Sequence, residues 1–258
     1  RKSLMQIWLN DRLTDSVAAD VSVGGWPSGE GVFETIRTQD GEVFELGRHM
    51  RRALEAATAK GFSLPNEEIV RTGIHSLLNA EPQTIGRLRL LFSKGQFIVV
   101  HQRYEEISKP AKLAVVADSE IVESISLKTY PYEHRLALLE QAQQSGFDEI
   151  ICINEDGEVS EGAVSNFLFR IDGKWITTPL SSGVLPGIQR GIVIERCRVA
   201  VKQILKSELE RVDAAFVISS LKIALSVASI AGIALQIDED CKALAADIWA
   251  NTHRHSVG

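Results

Sequence analysis

Along most of this chain, segments in which apolar and polar residues alternate as in β-strands are followed by segments in which apolar residues recur at helical spacing. The first part predicts strands at residues 5–9, 31–38, 41–46, 87–92 and 96–102, and helices at 47–60 and 67–79. The later part predicts strands at 113–117, 149–154, 166–171, 175–178 and 216–219, and helices at 131–145, 190–205 and 244–252. Because both halves mix the two, the pattern predicts α/β or α+β packing and excludes a β-sandwich or a helical bundle.

A charged segment interrupts the pattern near the middle of the chain. Residues 104–112 contain a proline and few apolar residues, which is typical of a linker between domains. We therefore expect an N-terminal α/β domain at residues 1–103 and a C-terminal α/β domain at residues 113–258. A chain of 258 residues is long enough to bury the cores of two modest domains.

Charge and hydropathy exclude two classes of protein. A net charge of −6 argues against nucleic-acid binding, which needs a basic surface to neutralise phosphates. No apolar run reaches the ~20 residues of a membrane span. The longest run, residues 218–237, contains four serines and a lysine, and predicts a strand end followed by a small-residue helix. Residues 1–13 lack the apolar core of a secretory signal.

The cysteines and histidines predict no metal site. Cys152, Cys197 and Cys241 are odd in number and far apart, which is typical of buried thiols in a reducing compartment. The six histidines show no metal-ligand spacing, and the tail at residues 253–255 predicts a disordered end. These features lead us to expect a cytoplasmic protein.

A carboxylate and a carboxamide flank a flexible turn in the segment Glu161-Gly-Ala-Val-Ser-Asn166. The segment joins two predicted strands, and Gly162 would let Glu161 and Asn166 converge on one polar ligand. Taken alone, the segment is explained better as an ordinary polar hairpin. Its interest comes from the segments on either side of it.

Lys128 follows a short apolar run, Ile125-Ser-Leu127, and precedes a predicted helix. A lysine at the end of an apolar strand is partly desolvated, which lowers its pKa and suits it to Schiff-base formation. A surface lysine that leaves a strand is the alternative. The position of Lys128 alone does not decide between the two.

Leu185-Pro-Gly-Ile-Gln-Arg190 predicts the start of a helix whose amides at Ile188 and Gln189 can bind phosphate. Ser219-Ser-Leu221 offers hydroxyl groups at a predicted strand-to-helix junction, and Arg52 offers a guanidinium. A plain turn, an N-cap and a solvated arginine are the alternatives for these three features. A phosphate site, a reactive lysine and a carboxylate together suit pyridoxal phosphate as a cofactor.

The chain resembles the class IV aminotransferases, the fold-type IV pyridoxal-phosphate enzymes, over nearly its whole length. The matching segments, in the order of that family, are Gly29-Glu-Gly-Val-Phe-Glu-Thr-Ile36, His49-Met-Arg-Arg52, Lys128-Thr129 with Tyr132, Gly146-Phe-Asp-Glu149, Glu161 to Asn166, Leu185-Pro-Gly-Ile188 and Ser219-Ser-Leu221. The resemblance implies a two-domain, D-amino-acid-aminotransferase-like fold with the cofactor between the domains. It also implies a homodimer whose active sites share residues.

The resemblance assigns roles to particular residues. It implies that Lys128 holds the cofactor as a Schiff base and moves a proton, that Glu161 pairs with the pyridine nitrogen, and that Asn166 supports the cofactor site. It implies a phosphate site made by Arg52, Ile188, Gln189, Ser219 and Ser220. Tyr132 matches a position that reaches the phenolic oxygen of the cofactor in some members.

The substrate side departs from the usual pattern of the family. Ser28 stands where many relatives have an aromatic residue, Glu30 where they have aspartate, and Pro131 where asparagine is frequent. We expect Ser28, Phe33 and Thr35 on the substrate side, and a small amine or amino acid as substrate.

The family includes branched-chain aminotransferases, D-amino-acid aminotransferases and 4-amino-4-deoxychorismate lyases. His101-Gln-Arg103 lacks the Arg-x-His carboxylate trap of the D-amino-acid enzymes, and Ser219-Ser-Leu221 replaces the Gly-Thr-Ala of the branched-chain enzymes. Phe33-Glu-Thr35 and Ser219-Ser-Leu-Lys222 look most like the lyases, which release 4-aminobenzoate, a folate precursor, and pyruvate. An aminotransferase is the alternative. A non-catalytic protein of the same fold is disfavoured, because both Lys128 and Glu161 are present.

Overall fold

A computed structural model of the chain describes residues 4–121 and 127–258. Its helices are α1 (Leu46–Lys60), α2 (Glu67–Ala80), α3 (Glu133–Gln144), α4 (Ile188–Arg196) and α5 (Glu239–Ala250). Its strands are β1 (Gln6–Leu9), β2 (Arg12–Asp15), β3 (Gly31–Gln39), β4 (Glu42–Phe44), β5 (Ile85–Ser93), β6 (Gln96–Arg103), β7 (Ala111–Ala117), β8 (Thr129–Tyr130), β9 (Glu149–Ile153), β10 (Asn166–Ile171), β11 (Lys174–Thr177), β12 (Ala200–Val201), β13 (Val212–Ile218), β14 (Leu225–Ile230), β15 (Ile233–Ala234) and β16 (Arg254–His255). The mixed α/β class predicted from the sequence is confirmed.

The described residues divide into two compact units. The first unit comprises residues 4–106, 127–131 and 253–258, and the second comprises residues 107–121 and 132–252. The segment predicted as a linker, residues 104–112, follows the end of β6 at Arg103, and its last two residues are the first two of β7, which starts at Ala111. The return of residues 127–131 to the first unit places Lys128 in that unit. The domain bounds given above stay a prediction.

The first unit is built on an eight-stranded sheet in the order β16-β4-β3-β5-β6-β1-β2, with β8 also paired to β3. One face of the sheet packs against α1 and α2, because both helices carry an apolar stripe at helical spacing. This core is made by residues that include Val32, Ile36, Ala53, Ile74, Leu77, Leu88 and Val99. The alternation of strand side chains leaves a second face, which carries Phe33, Thr35 and Arg89.

The second unit is built on another eight-stranded sheet, in the order β12-β11-β10-β13-β14-β7-β9, with β15 paired to β14. Its strands β7, β9 and β14 run parallel, while β10, β11, β13 and β14 form antiparallel pairs. The central strands are apolar on both faces, as expected for strands that are covered on both sides. Strand β10 is buried along its whole length.

The helix predicted at residues 190–205 is wrong at its C-terminal end. Helix α4 ends at Arg196, and Ala200–Val201 instead forms β12, which pairs in parallel with β11. Arg198 has a positive φ of 56°, a left-handed conformation that does not continue a right-handed helix. The apolar residues after Arg196 therefore cover the edge of a sheet and do not extend a helical stripe.

The small-residue helix predicted within residues 218–237 is also wrong, because this run forms β14 and β15. Leu225, Val227 and Ile230 are buried, and Ala231 and Gly232 form the positive-φ turn between the strands. Ser219-Ser-Leu221 consequently lies at a strand-to-strand turn and not at the predicted strand-to-helix junction.

The tail predicted to be disordered is ordered as β16. Arg254 and His255 pair with Phe44 and Val43 of β4, and Arg254 forms an ion pair with Glu42 at 2.9 Å. The edge strand β4 supplies backbone hydrogen bonds to this tail, and such long-range pairing cannot be predicted from the local sequence. Of the apolar run proposed to end at Lys128, Ile125 and Ser126 lie outside the described residues.

Candidate active site

Lys128 lies beside strand β3 of the first unit. Its carbonyl accepts a hydrogen bond from the backbone N–H of Phe33 at 3.1 Å, and the next two residues form β8 against Val32 and Gly31. Its Nζ lies 4.5 Å from the centroid of the Phe33 ring. An ammonium over an aromatic face is a favourable cation–π arrangement, so this contact fixes the direction of the amine.

Arg52 lies in a buried ionic cluster with Glu34 and His49. Its Nε and Nη2 donate to the two oxygens of Glu34 at 2.8 and 2.6 Å, the bidentate geometry that suits a guanidinium and a carboxylate. Nδ1 of His49 lies 2.6 Å from Oε2 of Glu34. Glu34 is 0% exposed and His49 is 1% exposed, so this cluster is held away from water.

The cluster shifts the pKa of both titratable partners of Arg52. Burial raises the pKa of Glu34, but the charge and hydrogen bonds of Arg52 and the hydrogen bond of His49 outweigh it and lower the pKa to about 2. Burial lowers the pKa of His49, against the opposing effect of Glu34, and the charges of Arg52 and Lys128 lower it further. Glu34 is therefore an anion and His49 a neutral ring at neutral pH.

These two pKa shifts determine how the stability of the folded state changes with pH. The lowered pKa of Glu34 stabilises the folded state above pH 4.5, and this contribution is lost as the pH falls from 4.5 through about 2. The lowered pKa of His49 means that the unfolded chain takes up this proton first on acidification. Stability therefore begins to fall below about pH 6.5, the ordinary pKa of histidine.

Replacing Glu34 by glutamine is expected to lower the free energy of unfolding by about 3 to 5 kcal/mol, because it leaves the charge of Arg52 buried without its counter-ion. Urea unfolding at pH 7 measures this change. The matched control is Glu42→Gln, which removes a carboxylate from a half-exposed pair with Arg254 and is expected to cost less than about 1 kcal/mol. Equal losses in the two variants would contradict the importance of the buried cluster.

The segment from Glu161 to Asn166 is held by a second buried carboxylate, Glu149. Its Oε1 accepts from the amide of Ala163 at 3.0 Å, and its Oε2 accepts from the hydroxyl of Ser165 at 2.7 Å. A Cβ on Gly162 would lie 2.9 Å from this carboxylate, so the close approach requires glycine there. The turn is therefore a rigid, buried support and not an exposed polar hairpin.

The side chains of Glu161 and Asn166 contact each other across this segment. Nδ2 of Asn166 donates to Oε2 of Glu161 at 3.2 Å, and the amide of Leu185 donates to the same oxygen at 2.9 Å. Nη1 of Arg135 lies 3.6 Å from the other oxygen, Oε1. Glu161 is 5% exposed, and its carboxylate is held by two hydrogen-bond donors and one ion pair.

Tyr132 lies next to this turn in the second unit. Its hydroxyl donates to the carbonyl of Ala163 at 2.6 Å. Burial raises the pKa of the Tyr132 phenol, and the charge of Glu161 raises it further. The phenol is therefore a protonated hydrogen-bond donor across the physiological pH range.

The loop before α4 forms a helix N-terminus with Gly187 as the N-cap residue, which has no side chain to accept from the first turn. The amides of Ile188 and Gln189 lie in this first turn, at the positive end of the helix dipole. Their role toward a phosphate stays a prediction. A Cβ on Gly187 would lie 1.9 Å from Oδ1 of Asn166. The side chain of Gln189 is buried and donates to Thr252 at 3.1 Å, so only its backbone can serve a ligand.

The turn after β13 contains Ser219 and Ser220. Oγ of Ser219 accepts from the amide of Lys222 at 3.1 Å, and its carbonyl accepts from Ile223. The hydroxyl proton of Ser219 is not used by this contact. Burial lowers the pKa of Lys222, against the opposing charge of Glu149. Besides Lys128, which lies elsewhere in the chain, there is therefore another lysine in this turn, whose amine is buried.

Of the residues expected on the substrate side, Phe33 and Thr35 lie on a face of the first-unit sheet, whereas Ser28 lies in an exposed turn. Phe33 is buried, and the Trp26 ring packs edge-on against it with centroids 4.8 Å apart. Thr35 lies on the same sheet face, across from Arg89. Ser28 is exposed and donates to Asp20 at 2.8 Å, so its hydroxyl belongs to a surface turn.

The predicted site residues thus form two groups, one in each unit. Lys128, Arg52, Phe33, Thr35 and Ser28 belong to the first unit, and the remaining residues belong to the second. Their cofactor and substrate roles stay predictions. Among residues 4–121 and 127–258, no three histidine, cysteine, aspartate or glutamate side chains lie close enough together to hold a metal ion. No helix in those ranges is both long and apolar enough to span a membrane.

Sequence reasoning missed the supporting residues Glu34, Glu149 and Arg135. The first two stand inside the matching segments Phe33-Glu-Thr35 and Gly146-Phe-Asp-Glu149, where a charged residue in an apolar strand signals a buried partner. Arg135 gave no such signal, because an arginine in the first turns of a helix is usually solvated. Nη1 of Arg135 donates to the carbonyl of Gly162 at 3.0 Å, a long-range contact that only folding creates.

Comparison with protein-family models matches residues 31–230 to the family described as amino-transferase class IV. A D-alanine aminotransferase from Bacillus licheniformis is 27% identical over 253 residues, covering 88% of this chain and 89% of that protein. An aminodeoxychorismate lyase from Bacillus subtilis is 29% identical over 218 residues, covering 74% of this chain and 73% of that protein.

Solved structures give the same fold. The branched-chain aminotransferase from Thermoproteus uzoniensis, crystallised with norvaline, superposes with a TM-score of 0.80 and 25% identity. The match covers 96% of this chain and 94% of that structure. The expected fold class of a fold-type IV enzyme is confirmed by these comparisons.

Proposed function

We propose that this chain, which belongs to the class IV aminotransferase family and is a pyridoxal-phosphate-dependent enzyme, is a 4-amino-4-deoxychorismate lyase. In this reaction the substrate gives 4-aminobenzoate and pyruvate. The bond between the ring and the pyruvyl oxygen breaks, and a proton leaves the ring carbon that bears the amine. Both changes make the ring aromatic.

The described residues fit a cofactor that has an aldehyde, a ring nitrogen and a phosphate. An amine, a buried carboxylate and an uncapped helix N-terminus match these three groups in turn, at Lys128, Glu161 and Ile188. Pyridoxal phosphate supplies an electron sink for the electrons left when the proton is removed. The three matches support the roles that follow.

Lys128 would hold the cofactor aldehyde covalently and, once released by the substrate amine, would move the proton at the carbon that bears nitrogen. The Phe33 ring supports this role, because it orients Nζ at 4.5 Å. His49 supports it as well, because a buried neutral imidazole does not add a competing cation beside the amine.

Glu161 would pair with the ring nitrogen and hold a proton there. Its Oε2 already accepts from Asn166 and Leu185, and each donor favours the ionised carboxylate. An anion fixed in this way would keep the ring nitrogen of the cofactor protonated. Asn166 would therefore support Glu161, and Tyr132 would be a neutral donor beside the same turn.

The phosphate would lie on the first turn of α4. The amides of Ile188 and Gln189 would donate to it, together with the hydroxyls of Ser219 and Ser220. The positive end of the helix dipole favours an anion at this place. Arg52 would add a guanidinium, which Glu34 already holds in one orientation.

The observation that favours the lyase over a D-amino-acid aminotransferase is the position of His101. Its ring is 2% exposed, with Nε2 2.8 Å from the hydroxyl of Thr38 and Nδ1 2.7 Å from the carbonyl of Glu81. Both ring nitrogens of His101 are therefore hydrogen-bonded within the first unit. His101 therefore does not serve as the histidine of a carboxylate trap.

An aminotransferase is the second candidate. The similarity to the D-alanine aminotransferase covers 88% of this chain, more than the 74% covered by the similarity to the lyase. In this alternative Lys128 would give back the proton that it removes, and pyridoxal phosphate would supply the chemistry that carries the amino group to a second substrate. The residues proposed above would serve both reactions.

The test offers 4-amino-4-deoxychorismate to the cofactor-loaded protein and follows 4-aminobenzoate by fluorescence and pyruvate by a coupled assay. The lyase predicts equal amounts of both products when no 2-oxo acid is added as an amino acceptor. L-glutamate, D-alanine and the branched-chain amino acids are offered separately, while the absorbance of the bound cofactor is recorded. Conversion of the cofactor to its amine form by one donor, without release of 4-aminobenzoate, would replace the lyase by an aminotransferase.

Two further properties are proposed from family membership. The enzyme would be a homodimer, with each active site completed by the partner subunit, and it would act in the cytoplasm on a small amine substrate. Sedimentation of the active protein tests the first property. A fully active monomer would contradict it.

A further inference from the structure

Arg135 lies between two buried carboxylates of the second unit. Its Nε lies 3.2 Å from Oδ2 of Asp118, and its Nη1 lies 3.6 Å from Oε1 of Glu161. The side chain of Asp118 is 1% exposed and that of Arg135 is 14% exposed, so these charges are held largely away from water. We call Asp118, Arg135 and Glu161 the charge row.

Arg135 also holds the backbone of the turn that carries Glu161. Its Nη1 donates to the carbonyl of Gly162 at 3.0 Å, and the same nitrogen lies 3.7 Å from Sγ of Cys152. The nitrogen that faces Glu161 is therefore fixed by a backbone group of the neighbouring residue. The position of the guanidinium relative to the Glu161 carboxylate follows from the fold of the turn.

Asp118 is fixed from its other side. Its Oδ1 accepts from the amide of Glu120 at 3.1 Å and lies 3.0 Å from Nε2 of His134. Its Oδ2 is buried and makes no hydrogen bond among residues 4–121 and 127–258, although Nε of Arg135 lies 3.2 Å from it. The contact between Oδ2 and Arg135 is thus an ion pair without hydrogen-bond geometry, and its contribution is the charge.

The charged groups next to Asp118 on its solvent side are exposed. Nδ1 of His134 lies 3.4 Å from Oε2 of Glu120, and both side chains are in contact with water. Water and salt screen a pair of this kind. The three charges of the row are buried in a medium of lower dielectric constant, so each of them acts more strongly on the others.

The other acidic groups beside Arg135 are neutral at pH 7. Burial raises the pKa of the Cys152 thiol to about 12, against the opposing charge of Arg135, and burial also raises the pKa of the Tyr132 phenol. Burial acts to lower the pKa of Arg135, but the acidic groups around it outweigh this effect and raise the pKa. The row therefore combines two carboxylates with one guanidinium and has one negative charge in excess.

This excess charge determines what Glu161 can do for a ring nitrogen. A protonated ring nitrogen is a cation, and a nearby anion favours the protonated form. The guanidinium of Arg135 opposes this effect, because it attracts the carboxylate and repels a second cation. Asp118 offsets the guanidinium at a different nitrogen, so the charge of Glu161 is left for another partner.

We propose that Arg135 and Asp118 are positioning residues for the cofactor, in which Arg135 holds Glu161 in place and Asp118 balances the charge of Arg135, so that Glu161 keeps the ring nitrogen protonated. This inference rests on the proposed function, because it takes Glu161 as the partner of that nitrogen. Both residues act through Glu161 and not by contact with the cofactor.

A purely structural role makes a different prediction. The bond from Arg135 to the carbonyl of Gly162 could serve only to hold the turn. Loss of Asp118 or of Arg135 would then weaken the binding of every cofactor analogue to the same extent. A balance of charge predicts effects that depend on the ring nitrogen and that have opposite signs for the two residues.

The test compares pyridoxal phosphate with 1-deazapyridoxal phosphate, in which a C–H group replaces the ring nitrogen. Equilibrium competition between the two at pH 7 measures the ratio of their affinities, a quantity that does not depend on turnover. In the unchanged protein we expect pyridoxal phosphate to bind about tenfold or more tightly, because a charge-assisted hydrogen bond to a buried carboxylate is a strong one. Glu161→Gln should remove most of this preference.

Two single variants test the signs of the effects. Asp118→Asn keeps the shape of the side chain and leaves the charge of Arg135 unbalanced, so the preference should fall by about threefold or more. Arg135→Gln removes the opposing cation and should raise the preference by a similar factor. The matched control is Asp156→Asn, in an exposed turn of the same unit, which should change nothing.

The double variant Asp118→Asn with Arg135→Gln tests the balance itself. It again leaves one negative charge in excess, so its preference should equal that of the unchanged protein, although each single change shifts the preference. A structural role predicts no such restoration. If Asp118→Asn does not fold, Arg135→Gln and the double variant carry the test.

Three outcomes would overturn the inference. They are a preference that Asp118→Asn leaves unchanged, a preference that falls in Arg135→Gln, and a double variant that differs from the unchanged protein. A failure of the proposed function gives another result. An unchanged protein without any preference for pyridoxal phosphate, or a preference that survives in Glu161→Gln, rejects the role of Glu161 on which the inference rests.

Discussion

Replacing Lys128 by alanine is expected to abolish the borohydride-reducible link between protein and pyridoxal phosphate and to lower turnover by at least about 10⁴-fold. The variant removes both the covalent attachment and the group that moves the proton, and each contributes separately to the rate. Mass spectrometry after reduction measures the link, and release of 4-aminobenzoate measures turnover. The fold should survive, because the backbone contact from Phe33 to the Lys128 carbonyl does not use the side chain.

The control for this variant is Lys94→Ala, at the exposed turn between β5 and β6, which should keep both link and turnover. Lys222 is the informative competitor, since burial lowers its pKa as well. Peptide mapping of the reduced protein decides between the two amines. Label on Lys222, or full labelling of Lys128→Ala, would reject the assignment of Lys128.

Replacing Glu161 by glutamine is expected to lower turnover by about 10² to 10³-fold while the cofactor stays bound. The carboxylate would stabilise charge that develops on the ring nitrogen, and loss of one such interaction typically has an effect of this size. Glutamine keeps the shape of the side chain, so the contacts from Asn166 and Leu185 can be rearranged without a cavity. Single-turnover kinetics and titration with the cofactor separate the two effects.

Glu155→Gln is the matched control, because Glu155 is exposed in the turn after β9, six positions before Glu161. It should leave turnover unchanged. A Glu161→Gln variant that turns over normally would exclude the carboxylate as partner of the ring nitrogen. A variant that loses the cofactor instead would make Glu161 a binding residue.

Local pattern predicted much of the fold. The alternation at β3, β5 and β10 and the stripes of α1 and α2 follow from side-chain periodicity, which depends only on neighbours in sequence. The glycine loop before α4 was readable for the same reason, since Gly187 and the start of the helix are local features. The convergence of Glu161 and Asn166 was likewise a short-range inference.

The errors arose where distant strands decided the local conformation. Ala200–Val201 became β12 because β11 presented an edge for pairing, and Arg254–His255 became β16 because β4 did. The small residues of β14 suggested a helix, yet β7 and β13 pair with this strand on its two sides. Pairing of this kind overrides weak local preference.

The sequence by itself determined the class of fold, the family and the residue types that can hold pyridoxal phosphate, because spaced motifs and periodicity are properties of the chain alone. The tertiary structure decided which charges meet. Glu34 accepts hydrogen bonds from Arg52, and Glu149 accepts hydrogen bonds from the turn that carries Glu161. His101 is hydrogen-bonded to Thr38 inside the first unit. Such pairings depend on burial and on contacts between distant residues, and the energy of a charge is set by that environment.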